Sequence, residues 1–197
     1  MKKCLLIPVS GTLLFATCGS SSSNPTVQPT PVVATAAESS PTIVERIPLP
    51  AGYRRIPEPG TGFAACLRTS PLKKDKTVYL YNGTVKANQQ AQYAVLDISV
   101  GNRDLQQCAD AVMRLRAEYL FAAKKYDAIR FHAGDGTWLS YTAWLDGTRY
   151  KQQGQKLVAI RTRSSVNTHD ALLNFMDFVF AYCGTSTLPA SLQSKSL

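Results

Sequence analysis

A cysteine in the middle of the chain has neighbours that could support nucleophilic chemistry. Cys108 stands in the first turns of a predicted helix, where unpaired backbone N–H groups and the helix dipole lower the pKa of a thiol. His132 follows on a predicted strand and could act as the base, while Gln106 or Gln107 could donate to an oxyanion. The pattern therefore permits hydrolysis of an amide or an ester with Cys108 as the nucleophile.

The same residues also permit a reading without catalysis. Cys108 falls near the predicted apolar face of its helix, and free cysteine is among the most buried residue types. The polar side chains of Asp104, Gln106 and Gln107 would then form a binding surface at the strand-to-helix junction. Papain-like and NlpC-type cysteine hydrolases also place their nucleophile at a helix start. A hydrolase of that kind is therefore the alternative to a non-catalytic binding domain.

The helix that carries these residues is predicted from its spacing. Apolar side chains recur at i, i+3, i+4 and i+7 from Leu105 onwards, which is typical of one buried face. Arg116 lies on this predicted face, because eleven residues turn a helix by roughly 1100° and bring Arg116 within roughly 20° of Leu105. We expect Arg116 to lay its stem along the core or to pair with a buried carboxylate. Arg114 is expected on the solvated face.

The remaining elements predict an α+β fold. A final helix over 171–183, capped by Thr168, is apolar nearly all round and should lie at the centre of the core. Asn82-Gly83 predicts a hairpin turn. Strands or extended arms are predicted at 43–49, 78–81, 93–98, 128–132 and 156–162, and shorter helices at 63–68 and 140–145. We expect a small antiparallel or mixed sheet packed against a long amphipathic helix and a buried C-terminal helix.

The N-terminus has the order of a lipoprotein signal peptide. Lys2 and Lys3 precede an apolar stretch at 4–16, which is too short to span a membrane. The letters LFATC, ending at Cys18, resemble the site where a diacylglycerol is attached to a cysteine before cleavage. We expect residues 1–17 to be removed and Cys18 to carry the lipid. An ordinary secretory signal cut nearby is the alternative.

A tether and one globular domain are expected to follow the lipid anchor. Residues 18–42 are rich in Ser, Thr and Pro, and such a segment cannot bury enough apolar area to offset its ordering entropy. We expect it to be a disordered tether on the cell envelope. Residues 43–197 are expected to form a single globular domain.

The charge of the chain bears on its partners. The net charge is +9, and removal of Lys2 and Lys3 leaves 20 basic against 13 acidic residues. The basic residues are scattered, so no nucleic-acid arm is predicted. They fit a solvated surface or attraction to an anionic envelope glycan, peptidoglycan or another envelope protein. No metal or cofactor is expected, because His132 and His169 stand far apart and no paired cysteines occur.

Three sequence blocks resemble a known family. The block DLQQCADAVMRLRAEYL, with VLDISVG before it, is similar to the signature of a bacterial lipoprotein family, domain of unknown function 4846. GFAACLRTSPLKK and VFAYCGTSTL resemble two further blocks of that family. The resemblance implies an envelope lipoprotein and no established activity. Gln92 stands where the family often has a histidine, so a role for that histidine is not carried over.

The resemblance also implies a disulfide pairing. The domain has three cysteines in a compartment that permits oxidation, so one bridge and three pairings are possible. Cys108 belongs to the family motif, whereas Cys66 and Cys183 stand where the family has other residues. We therefore expect a bridge between Cys66 and Cys183.

Overall fold

The structure is a computed structural model that describes residues 40–192. The helices are α1 (Ile43–Arg46), α2 (Phe63–Arg68), α3 (Cys108–Ala122), α4 (Tyr141–Leu145), α5 (His169–Tyr182) and α6 (Leu188–Leu192). The strands are β1 (Arg130–His132), β2 (Trp138–Ser140), β3 (Thr148–Gln153) and β4 (Lys156–Arg161), and a 3₁₀ turn spans Tyr126–Ala128. The fold is α+β with a small sheet component, as the sequence predicted.

The strands form two antiparallel hairpins. β1 pairs with β2, with Phe131 opposite Leu139, and β3 pairs with β4 in a register that sets Thr148 opposite Arg161. Asp135, in the turn between β1 and β2, accepts hydrogen bonds from the backbone N–H groups of Leu157 (2.7 Å) and Thr137 (2.9 Å). These bonds stabilise the charged carboxylate and lower the pKa of Asp135 to about 2. They also tie the first hairpin to β4.

Helix α5 lies at the centre of the core, as its sequence predicted. Leu172, Phe175, Met176 and Val179 are fully buried. Side chains from the other elements pack in the same cluster: Met113 of α3, Phe131 of β1, Leu139 of β2, and Tyr141 and Trp144 of α4. Thr168 caps α5, because its hydroxyl oxygen accepts a hydrogen bond from the N–H of Ala171. The short helix with Trp144 facing inwards is also confirmed.

Helix α3 is present in the predicted stretch, but it begins at Cys108 instead of near Leu105, and its buried face differs from the predicted one. Cys108 and Val112, expected on the apolar face, are exposed. Arg114, expected on the solvated face, is only 5% exposed, whereas Arg116, expected on the apolar face, is half-buried. The buried residues of α3 are Ala109, Met113, Arg114, Ala117 and Leu120. Two of these are alanines, whose small side chains add little to the apolar pattern that predicts a buried helix face.

The first part of the domain differs most from the sequence-based prediction. Residues 43–46 form a one-turn helix instead of a strand, with the Thr42 N–H donating to the Glu45 carboxylate at 2.8 Å. The segments predicted as strands at 78–81 and 93–98 make only the isolated bridges Tyr79↔Val85 and Leu72↔Leu96. The Asn82-Gly83 turn is confirmed, because Gly83 has φ 81° and donates to the Leu80 carbonyl. These segments are therefore extended chain without a full sheet.

The structure does not bear on the expectations for the N-terminus. The signal peptide, Cys18 and nearly all of the expected tether fall outside the described residues. Within residues 40–192, no helix combines the length and hydropathy needed to cross a bilayer.

Candidate functional site

A cavity of about 520 Å³ lies between helix α3 and the two extended segments of the first part of the domain. We call it the α3 cavity. Its wall is formed by Lys73, Val78 to Tyr81 with Gly83, Ala94 to Leu96, Ile98 to Gly101, and Gln106, Ala111, Arg114 and Leu115. Ala111, Arg114 and Leu115 share one face of α3, because they are spaced at i, i+3 and i+4. Helix α3 therefore supplies one wall, and extended chain supplies the others.

Arg114 is the buried charge of the α3 cavity. Its Nε donates to Oε1 of Glu118 at 2.7 Å, one helical turn further on. Glu118 also bonds Nε2 of His169, at 2.9 Å through Oε1 and 3.0 Å through Oε2. Among the described residues, no acceptor takes a hydrogen bond from the two terminal nitrogens of Arg114. The guanidinium is therefore fixed at Nε and has donors to spare.

Lys73 is the second cation in the wall. Its backbone N–H donates to the Val95 carbonyl at 2.8 Å, and its own carbonyl accepts a hydrogen bond from Nη1 of Arg46 at 2.5 Å. Both bonds fix the backbone of Lys73 beside the cavity. The described wall contains no Asp or Glu. The α3 cavity is therefore apolar with a positive side.

The structure separates the three polar residues that the sequence grouped at the helix start. Gln106 lines the α3 cavity, but Asp104 and Gln107 do not. Gln107 is the N-cap of α3, with its N–H donating to Oδ2 of Asp110 at 3.0 Å and its Nε2 to Oδ1 of Asp104 at 3.1 Å. Burial raises the pKa of Asp110 more than the Gln107 hydrogen bond lowers it. Gln107 therefore caps α3, and Asp104 accepts a hydrogen bond from its side-chain amide.

The structure does not assemble the cysteine–histidine pair. Cys108 is exposed, but within residues 40–192 it shares no hydrogen bond with His132. The backbone N–H of His132 donates to Oγ of Ser191 at 2.9 Å, and its ring lies edge-on to Trp138 with centroids 5.0 Å apart. Neither Cys108 nor His132 lines the α3 cavity. The base that the hydrolase hypothesis requires is therefore not in place.

The expected disulfide between Cys66 and Cys183 is also not formed. Cys66, Cys108 and Cys183 are free thiols. Cys66 is exposed on α2, whereas Cys183 is packed in the core at the end of α5. Burial, with the nearby carboxylates of Asp110 and Asp135, raises the pKa of the Cys183 thiol to about 12. A bridge would require a surface residue and a core residue to meet.

Sequence reasoning missed most of the site. No sequence pattern marks Arg114, Lys73 or the tyrosines at 79 and 81 as ligand-binding residues. The one local signal was the spacing of Arg114 and Glu118, an oppositely charged i, i+4 pair on a helix. No local signal relates the segments near residues 80 and 95 to residue 111, because only tertiary packing brings them together.

The described residues thus define a class of protein: an α+β domain with a ligand-sized cavity against its long helix. The chain belongs to the family described as domain of unknown function (4846), whose family model matches residues 43–197. This confirms the resemblance read from the sequence blocks. No curated protein and no solved structure matches the chain significantly.

Proposed function

We propose that this protein is a cell-envelope lipoprotein whose globular domain binds a small ligand without chemical change in the α3 cavity. The observation that carries the proposal is the cavity itself. Its volume of about 520 Å³ lies within the range of small-molecule sites, which is roughly 300–1,000 Å³. Its wall combines many apolar side chains with a few polar ones, among them Gln106 and Arg114. This composition is typical of binding sites.

Binding is favoured over hydrolysis by the chemistry of the wall. The described wall has no Cys, His, Asp or Glu, so it lacks a thiol nucleophile and a carboxylate or imidazole base. The exposed Cys108 lies outside the cavity and has no hydrogen bond to His132. No specific observation in the described residues favours the cysteine hydrolase.

The envelope location rests on the sequence. The basic, apolar and LFATC order at the N-terminus predicts lipid attachment at Cys18. A tether of the length predicted for 19–42 would have a root-mean-square span of roughly 25–30 Å. Such a span would hold the binding domain off the membrane surface, where an envelope molecule could reach the cavity.

Lipid attachment is tested by the mass of the mature N-terminus. We expect a chain that begins at Cys18 with a diacylglycerol on its sulfur, and a protein that fractionates with membranes. Cys18→Ser should abolish the modification and release the protein from membranes. Cys66→Ser, the matched control at an exposed cysteine of the domain, should leave both unchanged. An unmodified mature N-terminus at another residue contradicts the lipoprotein proposal.

The binding site is tested by filling the cavity. N-phenyl-1-naphthylamine is a neutral, apolar dye whose fluorescence rises when it leaves water. Ala111 lines the cavity, so Ala111→Phe should weaken dye binding by about tenfold, or about 1.4 kcal/mol. Ala122→Phe is the control, because Ala122 is an exposed alanine of the same helix outside the cavity wall. Equal dye affinity in both variants would refute the α3 cavity as the binding site.

A further inference from the structure

We infer that the ligand of the α3 cavity is a monocarboxylate with an apolar chain, bound through the terminal nitrogens of Arg114. The inference rests on the proposed function, since it names the chemical class of ligand for the same cavity. It goes further in predicting which charge the cavity selects and which residue selects it.

The hydrogen bonding of Arg114 is unfinished. A guanidinium has five N–H donors, and the terminal nitrogens of Arg114 reach the space of the cavity, since neither is a fully buried atom without a partner. Arg114 is only 5% exposed and lines the cavity, yet its one hydrogen bond within the described residues is from Nε to Glu118. The donors of Nη1 and Nη2 remain for an acceptor. Their planar, forked geometry matches the two oxygens of a carboxylate.

The orientation of Arg114 is fixed by Glu118. Glu118 accepts from Nε and is itself held by His169, which bonds both carboxylate oxygens. A guanidinium bound at Nε cannot turn freely, so its outer edge is preorganised for a ligand. Glu118 is therefore a positioning residue, and it does not line the cavity.

The charge around the cavity is weakly positive. Lys73 and Arg114 are the cations of the described wall, Glu118 pairs with Arg114, and the exposed carboxylate of Asp75 interacts with Lys73. The sum over these two cations and Glu118 is at most one positive charge, which complements a single negative charge. A phosphate monoester carries roughly −1.5 to −2 at pH 7, so the sum fits it less well.

The rest of the cavity wall is largely apolar. Beyond Lys73, Gln106 and Arg114, it is formed largely by aliphatic and tyrosine side chains, including Val95, Ile98 and Leu115. The part of the ligand behind its carboxylate must therefore be apolar. Two sources have this chemistry: a free fatty acid and the C-terminal carboxylate of a short apolar peptide.

The test measures displacement of N-phenyl-1-naphthylamine from the full chain carrying Cys18→Ser, so that no detergent is needed. Decanoate is compared with decanol, and an N-acetylated apolar dipeptide with its C-terminal amide. We expect at least one acid to displace the dye at a concentration about tenfold or more below the concentration that its neutral partner requires. The pair that shows this preference identifies the source of the carboxylate.

Variants assign the preference to Arg114. Arg114→Gln should remove the preference for the acid, and Arg114→Lys should retain only part of it, because an ammonium lacks the fork. Arg116→Gln is the matched control and should behave like the native chain. Lys73→Gln keeps the backbone hydrogen bonds of residue 73 and should reduce the preference about threefold. It provides a test even if the Arg114 variants fail to fold.

The outcomes separate the inference from the proposed function. If the dye binds in the cavity but each acid displaces it no better than its neutral partner, the carboxylate inference is overturned and the binding function stands. The inference also fails if the preference survives in a folded Arg114→Gln. If the dye does not bind, or binds Ala111→Phe as well as the native chain, the proposed function itself is overturned.

Discussion

Gly147→Ala is expected to lower the free energy of unfolding by about 3 kcal/mol or more. Gly147 is buried between α4 and β3 and has φ 91°, a left-handed conformation that costs an L-residue about 1–2 kcal/mol. A Cβ at this position would also lie 2.4 Å from the carbonyl oxygen of Thr162, which is backbone and cannot rotate away. The expected loss therefore combines backbone strain with overpacking, which typically costs about 1–3 kcal/mol.

The hydrogen bonds around Gly147 explain why the contact cannot relax cheaply. The Gly147 N–H donates to the Trp144 carbonyl at 3.1 Å, and the Gly147 carbonyl accepts from the N–H of Thr162 at 2.8 Å. Moving the chain at Thr162 would loosen the pairing of β3 with β4, whose first pair is Thr148 and Arg161. Gly147 thus links α4 to the second hairpin at a point of close backbone approach.

Gly154→Ala is the matched control for this prediction. Gly154 also has a positive φ, 59°, but no atom lies within 4 Å of the Cβ that alanine would add. Gly154→Ala should therefore lower the free energy of unfolding only by the cost of the backbone conformation, about 1 kcal/mol. Urea unfolding of both variants and the native chain measures the difference. Equal losses would mean that the contact with Thr162 relaxes without cost.

Arg114→Ala is expected to lower the free energy of unfolding by about 2–4 kcal/mol, and Arg116→Ala by less than about 1 kcal/mol. Arg114 is buried and donates to Glu118 at 2.7 Å, so its removal leaves a partly buried carboxylate without its guanidinium. Glu118 keeps its bond to His169 and its side chain is 25% exposed, so the loss should fall below that of a fully buried ion pair. Arg116 is half-buried and has no ion pair within the described residues.

A double-mutant cycle assigns this loss to the pair. Glu118→Gln combined with Arg114→Ala should cost less than the sum of the single variants, by about 1–3 kcal/mol. The same cycle with Arg116→Ala should show additive losses. Urea unfolding measures all of these variants. A larger loss for Arg116→Ala than for Arg114→Ala would show that the buried face of α3 is the one predicted from the sequence.

The sequence by itself determined the elements whose signals are local. Helix α5 was predictable because its residues are apolar on nearly every side and Thr168 offers a cap at its start. The Asn82-Gly83 turn and the helix at Phe63–Arg68 follow from backbone preferences of the residues themselves. Family membership followed from contiguous blocks such as DLQQCADAVMRLRAEYL.

Tertiary structure decided the buried face of α3, the pairing of the extended segments and the α3 cavity. Each of these depends on what an element packs against. The position of α3 followed from its spacing, but its buried face is set by its neighbours, which bury alanines and Arg114 and expose Val112. The segments at 78–81 and 93–98 have strand-like sequences, yet isolated bridges are all they form, since pairing requires a partner along their whole length. The α3 cavity joins three stretches of chain between Lys73 and Leu115. Only their tertiary packing places them around one space, so no local pattern of residues indicates the cavity.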